Sequence, residues 1–273
     1  MYKEKEIRDI YSKNVQREWN RLVKSPFHKL EFDTTMFFLK KYLPKKGLIL
    51  DVGGGPGRYA IELAKEGYNI ILLDLTPQNL EFAKRQAKRE RVKSKIKFLN
   101  SSITQLSQFE DNSFEAVLCL GSPLGHIKNK KQKEIAITEL ARVSKKGAPI
   151  FVSVMGKLGY LIREMKKQAK EIYDYKNYLS IAIKGDDNHW GDKGYFHYFT
   201  IEELEKLITK NKIKILQKIG LDGLEIASEE QINKIYKKPS IWKNWIKIHY
   251  IFCSDPTIVN VSPHFMIVME KDY

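Results

Sequence analysis

An α/β fold with a doubly wound, mostly parallel sheet is predicted for this chain of 273 residues. Two observations carry the prediction. From residue 48 onward, short apolar runs of strand length alternate with segments of helical periodicity. Such alternation implies right-handed crossovers and a sheet covered by helices on both faces. The first apolar run also ends in a glycine-rich turn that opens the next helix. Composition allows a full-size core: 42% of residues are hydrophobic and 11% aromatic, with only 16 Gly and 9 Pro. A disordered or collagen-like chain is excluded.

Residues 4–24 read as one helix, with Ile7, Tyr11, Val15, Trp19 and Leu22 on a single face. Ser25-Pro26 ends it, because the residue before a proline avoids helical geometry. A second helix is expected over 32–43, ahead of Pro44. Strands follow at 48–52, 69–74, 95–99, 114–120 and 148–154. Helices fill the gaps at about 57–66, 77–91 and 129–145, with Gly67 and Gly147 as stop signals. Beyond 155 the pattern changes. Residues 157–183 look helical, 184–199 form a polar and aromatic loop, and 200–211 form a helix capped by Thr200 with Glu203 in the capping-box position. Strands at 212–219 and 264–270 bring the sheet to seven. The intervening insertion, 220–262, holds two short helices around Pro239, and a segment of that size suits a lid or binding loop.

Charge raises a question that residue type answers in part. Forty-eight basic against 33 acidic residues leave +15, yet 39 of the basic residues are Lys and only 9 are Arg. Nucleic-acid recognition leans on the planar fork of Arg, so a nucleic-acid partner is the less favoured reading. Cys119 and Cys253 cannot build a disulfide framework or a four-thiolate zinc site, and no metal is expected. The start of the chain is charged from its third residue and lacks the apolar stretch of a signal peptide. No apolar run approaches the ~20 residues of a spanning helix. A soluble, cytoplasmic protein with no membrane partner, monomeric or homodimeric, is expected.

The most informative stretch runs Leu48-Ile49-Leu50-Asp51-Val52-Gly53-Gly54-Gly55-Pro56-Gly57-Arg58-Tyr59. Glycines permit positive φ and let a ligand approach with no Cβ in the way, and the helix behind them presents unpaired N–H groups. A dinucleotide fingerprint needs Gly or Ala at its sixth position, where this chain has Arg58. The strand 69–74 ends in Asp74, 23 residues after Asp51, where a carboxylate can accept both hydroxyls of a ribose.

The spacing Asp51-x-Gly53-x-Gly55-x-Gly57, with Asp74 following, resembles the first motifs of the class I S-adenosylmethionine-dependent methyltransferases of the small-molecule type. The turn Asp111-Asn112-Ser113-Phe114 and the segment Leu140 to Gly147 are similar to theirs. The resemblance covers 35–155, and more loosely the N-terminal helices and 197–219. It implies a Rossmann-like core and S-adenosylmethionine as cofactor, held by Asp51, Gly53, Gly54, Gly55, Gly57, Asp74 and Leu75. After the third strand these families place an acid against the adenine. This chain has Ser102 there, with Ile103 as an apolar wall. Leu120 and Gly121 close the fourth strand beside the cofactor, and Tyr11 and Trp19 reach it from the first helix. The implied division is an N-terminal helical lid (1–34), a cofactor-binding core (35–155), an acceptor-site insertion (156–199), and the end of the sheet with its helical insertion (200–273, insertion 220–262).

Transfer of an already activated methyl group needs alignment and exclusion of water, plus a base if the acceptor is a hydroxyl or a protonated amine. His126 after the fourth strand, His189 in the knot Asp186-Asp187-His189-Trp190, and His197 are the candidates. The aromatic stripe Trp242, Trp245, His249, Tyr250 and Phe252 is either an acceptor pocket or packing. Cys119 and Cys253 read as buried core thiols. The resulting expectation is methylation of a small molecule at nitrogen or oxygen. The alternatives are an RNA or protein methyltransferase, or a non-catalytic nucleotide-binding protein.

Overall fold

Seven strands form one sheet in the computed structural model, which describes residues 4–167, 175–188, 194–210, 213–226 and 229–271. Strands β1 (Leu48–Val52), β2 (Asn69–Asp74), β3 (Ile96–Asn100), β4 (Ala116–Cys119) and β5 (Pro149–Met155) are parallel in the order 3-2-1-4-5. Strands β8 (Ile213–Gly220) and β9 (His264–Lys271) complete the sheet, with β9 antiparallel to both β5 and β8. Strand order therefore reverses between β1 and β4, where ligands bind in such sheets, at the carboxyl ends of the strands.

Side-chain alternation along each strand loads both faces. One face buries Leu50, Val52, Leu73, Val117, Val152 and Ile267 beneath α6 (Lys130–Val143) and α9 (Ile201–Thr209). The other buries Ile49, Leu72, Leu118, Phe151 and Val268 beneath α3 (Pro26–Tyr42), α4 (Arg58–Lys65) and α5 (Pro77–Arg89). Each fully buried aliphatic side chain contributes about 1.5–3 kcal/mol, which is why the continuous apolar runs of β1 and β2 read so clearly as strands.

Several expectations need correction. The helix predicted over 4–24 is two, α1 (Glu4–Lys13) and α2 (Val15–Arg21), because Asn14 leaves helical geometry (φ −120, ψ 14) and donates its side-chain N–H to the Ile10 carbonyl at 2.8 Å. Asn competes with the helix for its own backbone groups. The helix expected to start at 32 starts at Pro26. Ser25 caps it and proline occupies its first position, so the pair that ends one helix also begins the next. The loop 184–199 contains a two-stranded ladder, β6 (Asp186–Asp187) with β7 (Phe196–His197), and the segment before it carries α7 (Lys157–Lys167) and α8 (Tyr175–Lys184). The insertion holds three α-helices, not two: α10 (Glu229–Tyr236), α11 (Pro239–Phe252) and α12 (Pro256–Val261). Thr200 caps α9 as expected, accepting from the Glu203 amide. Among the described residues, no helix is long and apolar enough to cross a membrane.

Candidate active site

The turn after β1 is built from three glycines in the left-handed region: Gly53 (φ +70), Gly55 (φ +58) and Gly57 (φ +80). Their surroundings divide their roles. A Cβ on Gly57 would meet Leu72 Cδ2 at 2.9 Å and Ala83 Cβ at 3.0 Å, so this residue lets α4 pack on the sheet and on α5. A Cβ on Gly54 would strike the Asp51 carboxylate. At Gly55 the nearest atom is Asn79 Nδ2 at 4.0 Å, so this position opens into free space. Arg58, which breaks the dinucleotide fingerprint, has a separate task. Its guanidinium lies 3.9 Å from the centroid of the Trp19 ring and donates to the Trp19 carbonyl, fastening α2 to the glycine turn.

Two carboxylates stand at the strand ends. Asp51 is fully buried and neither of its oxygens has a hydrogen-bond partner among the described residues. Burial, then the nearby Asp74, pushes its pKa up to about 7. Asp74 is buried as well. Its oxygens accept from the Gly55 amide (2.8 Å), the Thr76 amide (2.8 Å) and Asn79 Nδ2 (3.1 Å). Burial raises the Asp74 pKa, and these bonds hold it back in part. A carboxylate offers about four acceptor positions, so three are engaged within the chain. Loss of the side chain should accordingly do more than weaken ribose binding. Asp74→Ala is expected to lower cofactor affinity by ~1–3 kcal/mol and also to lower the melting temperature, since the turn and the start of α5 lose their common acceptor. Isothermal calorimetry together with thermal melting checks both parts.

Beside this cradle lies a cavity of about 470 Å³, within the size range of small-molecule sites. Gly53, Gly54, Gly55, Asp74, Leu75, Ile103, Leu120, Gly121, Tyr11 and His126 all contribute to its wall. Asp51 and Gly57 lie one layer beneath. Trp19 is placed elsewhere. The break at Asn14 turns α2 away from the register of α1, and Trp19 packs between Arg58 and Phe82, with ring centroids 5.5 Å apart in the latter pair. Ser102 is buried with its hydroxyl 3.1 Å from Thr104 Oγ1, and Ser101 lines the cavity in its stead.

The histidines separate sharply. His126 shares a 2.8 Å hydrogen bond between its Nε2 and the Tyr11 hydroxyl, and Phe196 meets its ring edge to face at 5.0 Å. His197 does not reach the cavity. Its Nδ1 lies 2.8 Å from Asp186 Oδ1 and its Nε2 2.8 Å from Glu203 Oε1, tying the β6–β7 ladder to α9. Lys133 faces the same carboxylates with its ammonium 4.7 Å from the Phe199 ring, and burial pushes its pKa down to about 8. This cluster is a structural clamp. His197→Asn should lower the melting temperature by ~2–4 °C, the shift that ~1 kcal/mol makes in a chain of this size, with cofactor affinity unchanged. His189 and Trp190 lie outside the described residues. The aromatic stripe of α11 does not line the cavity. His249 is buried with its Nε2 2.8 Å from Thr34 Oγ1, and burial pushes its pKa down to about 4.

One group in the wall escaped the sequence analysis. Glu31 on α3 accepts from Arg21 at 2.9 Å and sits 2.9 Å from His264 Nδ1. Burial alone would raise the Glu31 pKa, but Arg21 and then His264 hold it well below the usual carboxylate range. His264 Nε2 is buried with no hydrogen-bond partner among the described residues. Only the antiparallel register, Met155 opposite His264, brings the start of β9 to the ligand end of the sheet. No local pattern announces it.

The strand order, the glycine turn over a buried acid and the second acid at the end of β2 define a Rossmann-like methyltransferase core with a cradle for S-adenosylmethionine. Comparison with known proteins agrees. Residues 49–147 match the model of a methyltransferase domain. A protein of Geobacillus named as a methyltransferase is 23% identical over 229 residues, 75% of this chain and 91% of that protein. A ubiquinone biosynthesis O-methyltransferase of Rickettsia conorii is 31% identical over 139 residues. That match spans 48% of this chain and under half, 45%, of the relative. The crystal structure of an S-adenosylmethionine-dependent methyltransferase from Methanosarcina mazei superposes with a TM-score of 0.60 at 23% identity, over 86% of this chain and 97% of that one. Residues 49–147 of the chain thus carry a methyltransferase domain, on the fold of the S-adenosylmethionine-dependent methyltransferases.

Proposed function

We propose that this chain methylates a nitrogen or oxygen of a small molecule. The observation that carries the reading is one shared cavity. It joins the cradle at Gly55 and Asp74 to the Tyr11–His126 pair at the end of β4. S-adenosylmethionine supplies a methyl group already activated on a sulfonium. The cradle fits it: open space at Gly55 for a nucleoside, Asp74 toward a ribose, Leu75 and Ile103 as apolar walls, and the unpartnered Asp51 carboxylate to offset positive charge. The rest of the work is alignment and exclusion of water. Ile7, Tyr11 and Leu22 from the N-terminal helices, Met155 from β5, Tyr160 from α7 and Phe196 from β7 wall the acceptor side. These contributions support the view that 1–34 and 156–199 cover the cleft. His126 and His264 offer ring nitrogens able to take a proton from a hydroxyl or ammonium acceptor.

Transfer of a radiolabelled methyl group to a panel of phenols, amines and carboxylic acids tests the reading, with tRNA and bulk protein as competing acceptors. Label found only in the macromolecules overturns it. Tight S-adenosylhomocysteine binding with no transfer to any acceptor overturns catalysis itself. Within a productive assay, Tyr11→Phe should lower turnover about tenfold, because it removes the hydroxyl that orients His126, while S-adenosylhomocysteine affinity stays the same. An equal loss in affinity and turnover would place Tyr11 in cofactor binding instead.

A further inference from the structure

The α11 helix buries one side against α3, through His249 on Thr34 and Tyr250 stacked on Phe37 at 4.1 Å. Its other side is apolar and open. Ile251 is 72% exposed, and Ile241, Ile248 and Phe252 are each close to half exposed. Positions 241, 248 and 252 recur at helical spacing, so these residues form one stripe. Single exposed apolar residues need no explanation, whereas a contiguous stripe on one helix does.

Charge says what covers it. From residue 231 to 254 the chain carries five Lys and no Asp or Glu. Lys234 pairs with Glu230, but Lys237, Lys238, Lys243 and Lys247 are exposed and make no ion pair with any described residue. Lys243 and Lys247 are one turn apart along the flank of the apolar stripe. A second copy of the chain would set the unpaired lysines of two such surfaces face to face, which costs affinity. Nucleic acid would use the lysines but has no use for a centre of isoleucine. An anionic lipid surface satisfies both features. The apolar stripe enters the boundary of the acyl chains and the lysines meet the headgroups.

We propose that α11 is an interfacial anchor that docks the protein on anionic membranes. The placement has a consequence for the active site. Phe27, His28 and Glu31, on the first turns of α3, line the cavity, and Thr34 and Phe37, one to two turns further along the same helix, hold α11. Docking would therefore bear on the helix that forms part of the cavity wall.

Co-sedimentation with vesicles tests it. The full chain should pellet with vesicles containing about one third phosphatidylglycerol in phosphatidylcholine, at least tenfold more than with phosphatidylcholine alone, and the preference should shrink as salt rises. The Ile248→Ser, Ile251→Ser double variant keeps every charge and changes only exposed side chains. It should bind at least tenfold more weakly, with unaltered S-adenosylhomocysteine affinity and melting temperature. Lys243→Glu, Lys247→Glu should weaken binding by about fivefold per residue or more. The proposal is overturned if wild type does not pellet, or if the serine variant pellets as well as wild type, since the overall +15 would then be responsible. It is equally overturned by a concentration-dependent dimer that the serine variant abolishes, or by tRNA binding that depends on the lysines alone with no lipid binding.

Discussion

Gly55→Val should raise the dissociation constant for S-adenosylhomocysteine at least a thousandfold and leave a folded protein. Three features of the position combine. Its backbone sits at φ +58, its Cβ would enter open space with only Asn79 Nδ2 at 4.0 Å, and the residue forms part of the cavity wall. A branched side chain would occupy the room a nucleoside needs, and the Gly55 amide is also the group that reaches Asp74 at 2.8 Å. A β-branched residue with positive φ adds backbone strain of ~1–3 kcal/mol, which lowers the melting temperature but does not by itself block a ligand. Gly55→Ala separates the two contributions, since it keeps a Cβ at positive φ with two fewer side-chain carbons. It should melt lower and still bind. Gly57→Ala is the converse control: its Cβ would meet Leu72 and Ala83, so stability is the main casualty there. Calorimetry on the three proteins, each with its melting curve, distinguishes these effects. Wild-type affinity in Gly55→Val would move the nucleoside out of this cradle.

What could be read from sequence follows how local each determinant is. The buried strands and the Asp51-to-Gly57 motif were legible because a parallel strand buried on both faces is an unbroken apolar run, and a sharp turn needs glycine at fixed offsets. Asp74 was legible because it ends the next such run. Trp19 falls outside the cavity because Asn14 interrupts the helix, and its ring packs between Arg58 and Phe82, although Leu22 further along still reaches the wall. Family spacing points to Ser102, whereas the path of the loop after β3 turns Ser101 into the cavity and binds Ser102 to Thr104. His197 had the right residue type but is held on both sides by carboxylates. The Arg21–Glu31–His264 group unites α2, α3 and β9, and only the assembled sheet brings them together. Of the aromatic stripe Trp242, Trp245, His249, Tyr250 and Phe252, only Phe252 lies among the exposed apolar residues of α11, since periodicity shows that a helix has a face without showing which face is left uncovered.

Asp51→Asn should make the free protein more stable at pH 8 and worse at holding S-adenosylmethionine. The Asp51 carboxyl titrates near 3.8 in an ordinary setting and is pushed up to about 7 in the fold, first by burial and then by Asp74. Between those values the folded chain keeps a proton that the unfolded chain has lost. Stability therefore falls as pH rises from about 4 to about 7, by roughly 4 kcal/mol if nothing relaxes, and levels off above 7. A charge buried without a partner is costly, and it persists where something pays for it at another step. Here that step is cofactor binding. A sulfonium near Asp51 favours the carboxylate, so binding should drive its proton off, and affinity for S-adenosylmethionine should weaken as pH drops below 7, by up to about 25-fold between pH 7.5 and 5.5. S-adenosylhomocysteine lacks the sulfonium charge and should show a much shallower dependence. Asp74, whose pKa is also raised, remains in the Asp51→Asn protein, so the difference between variant and wild type isolates the part of the slope that belongs to Asp51. Superimposable pH profiles for the two ligands, or a variant that melts lower than wild type at pH 8, would show that Asp51 is spent on the architecture of the turn and not on the charge of the cofactor.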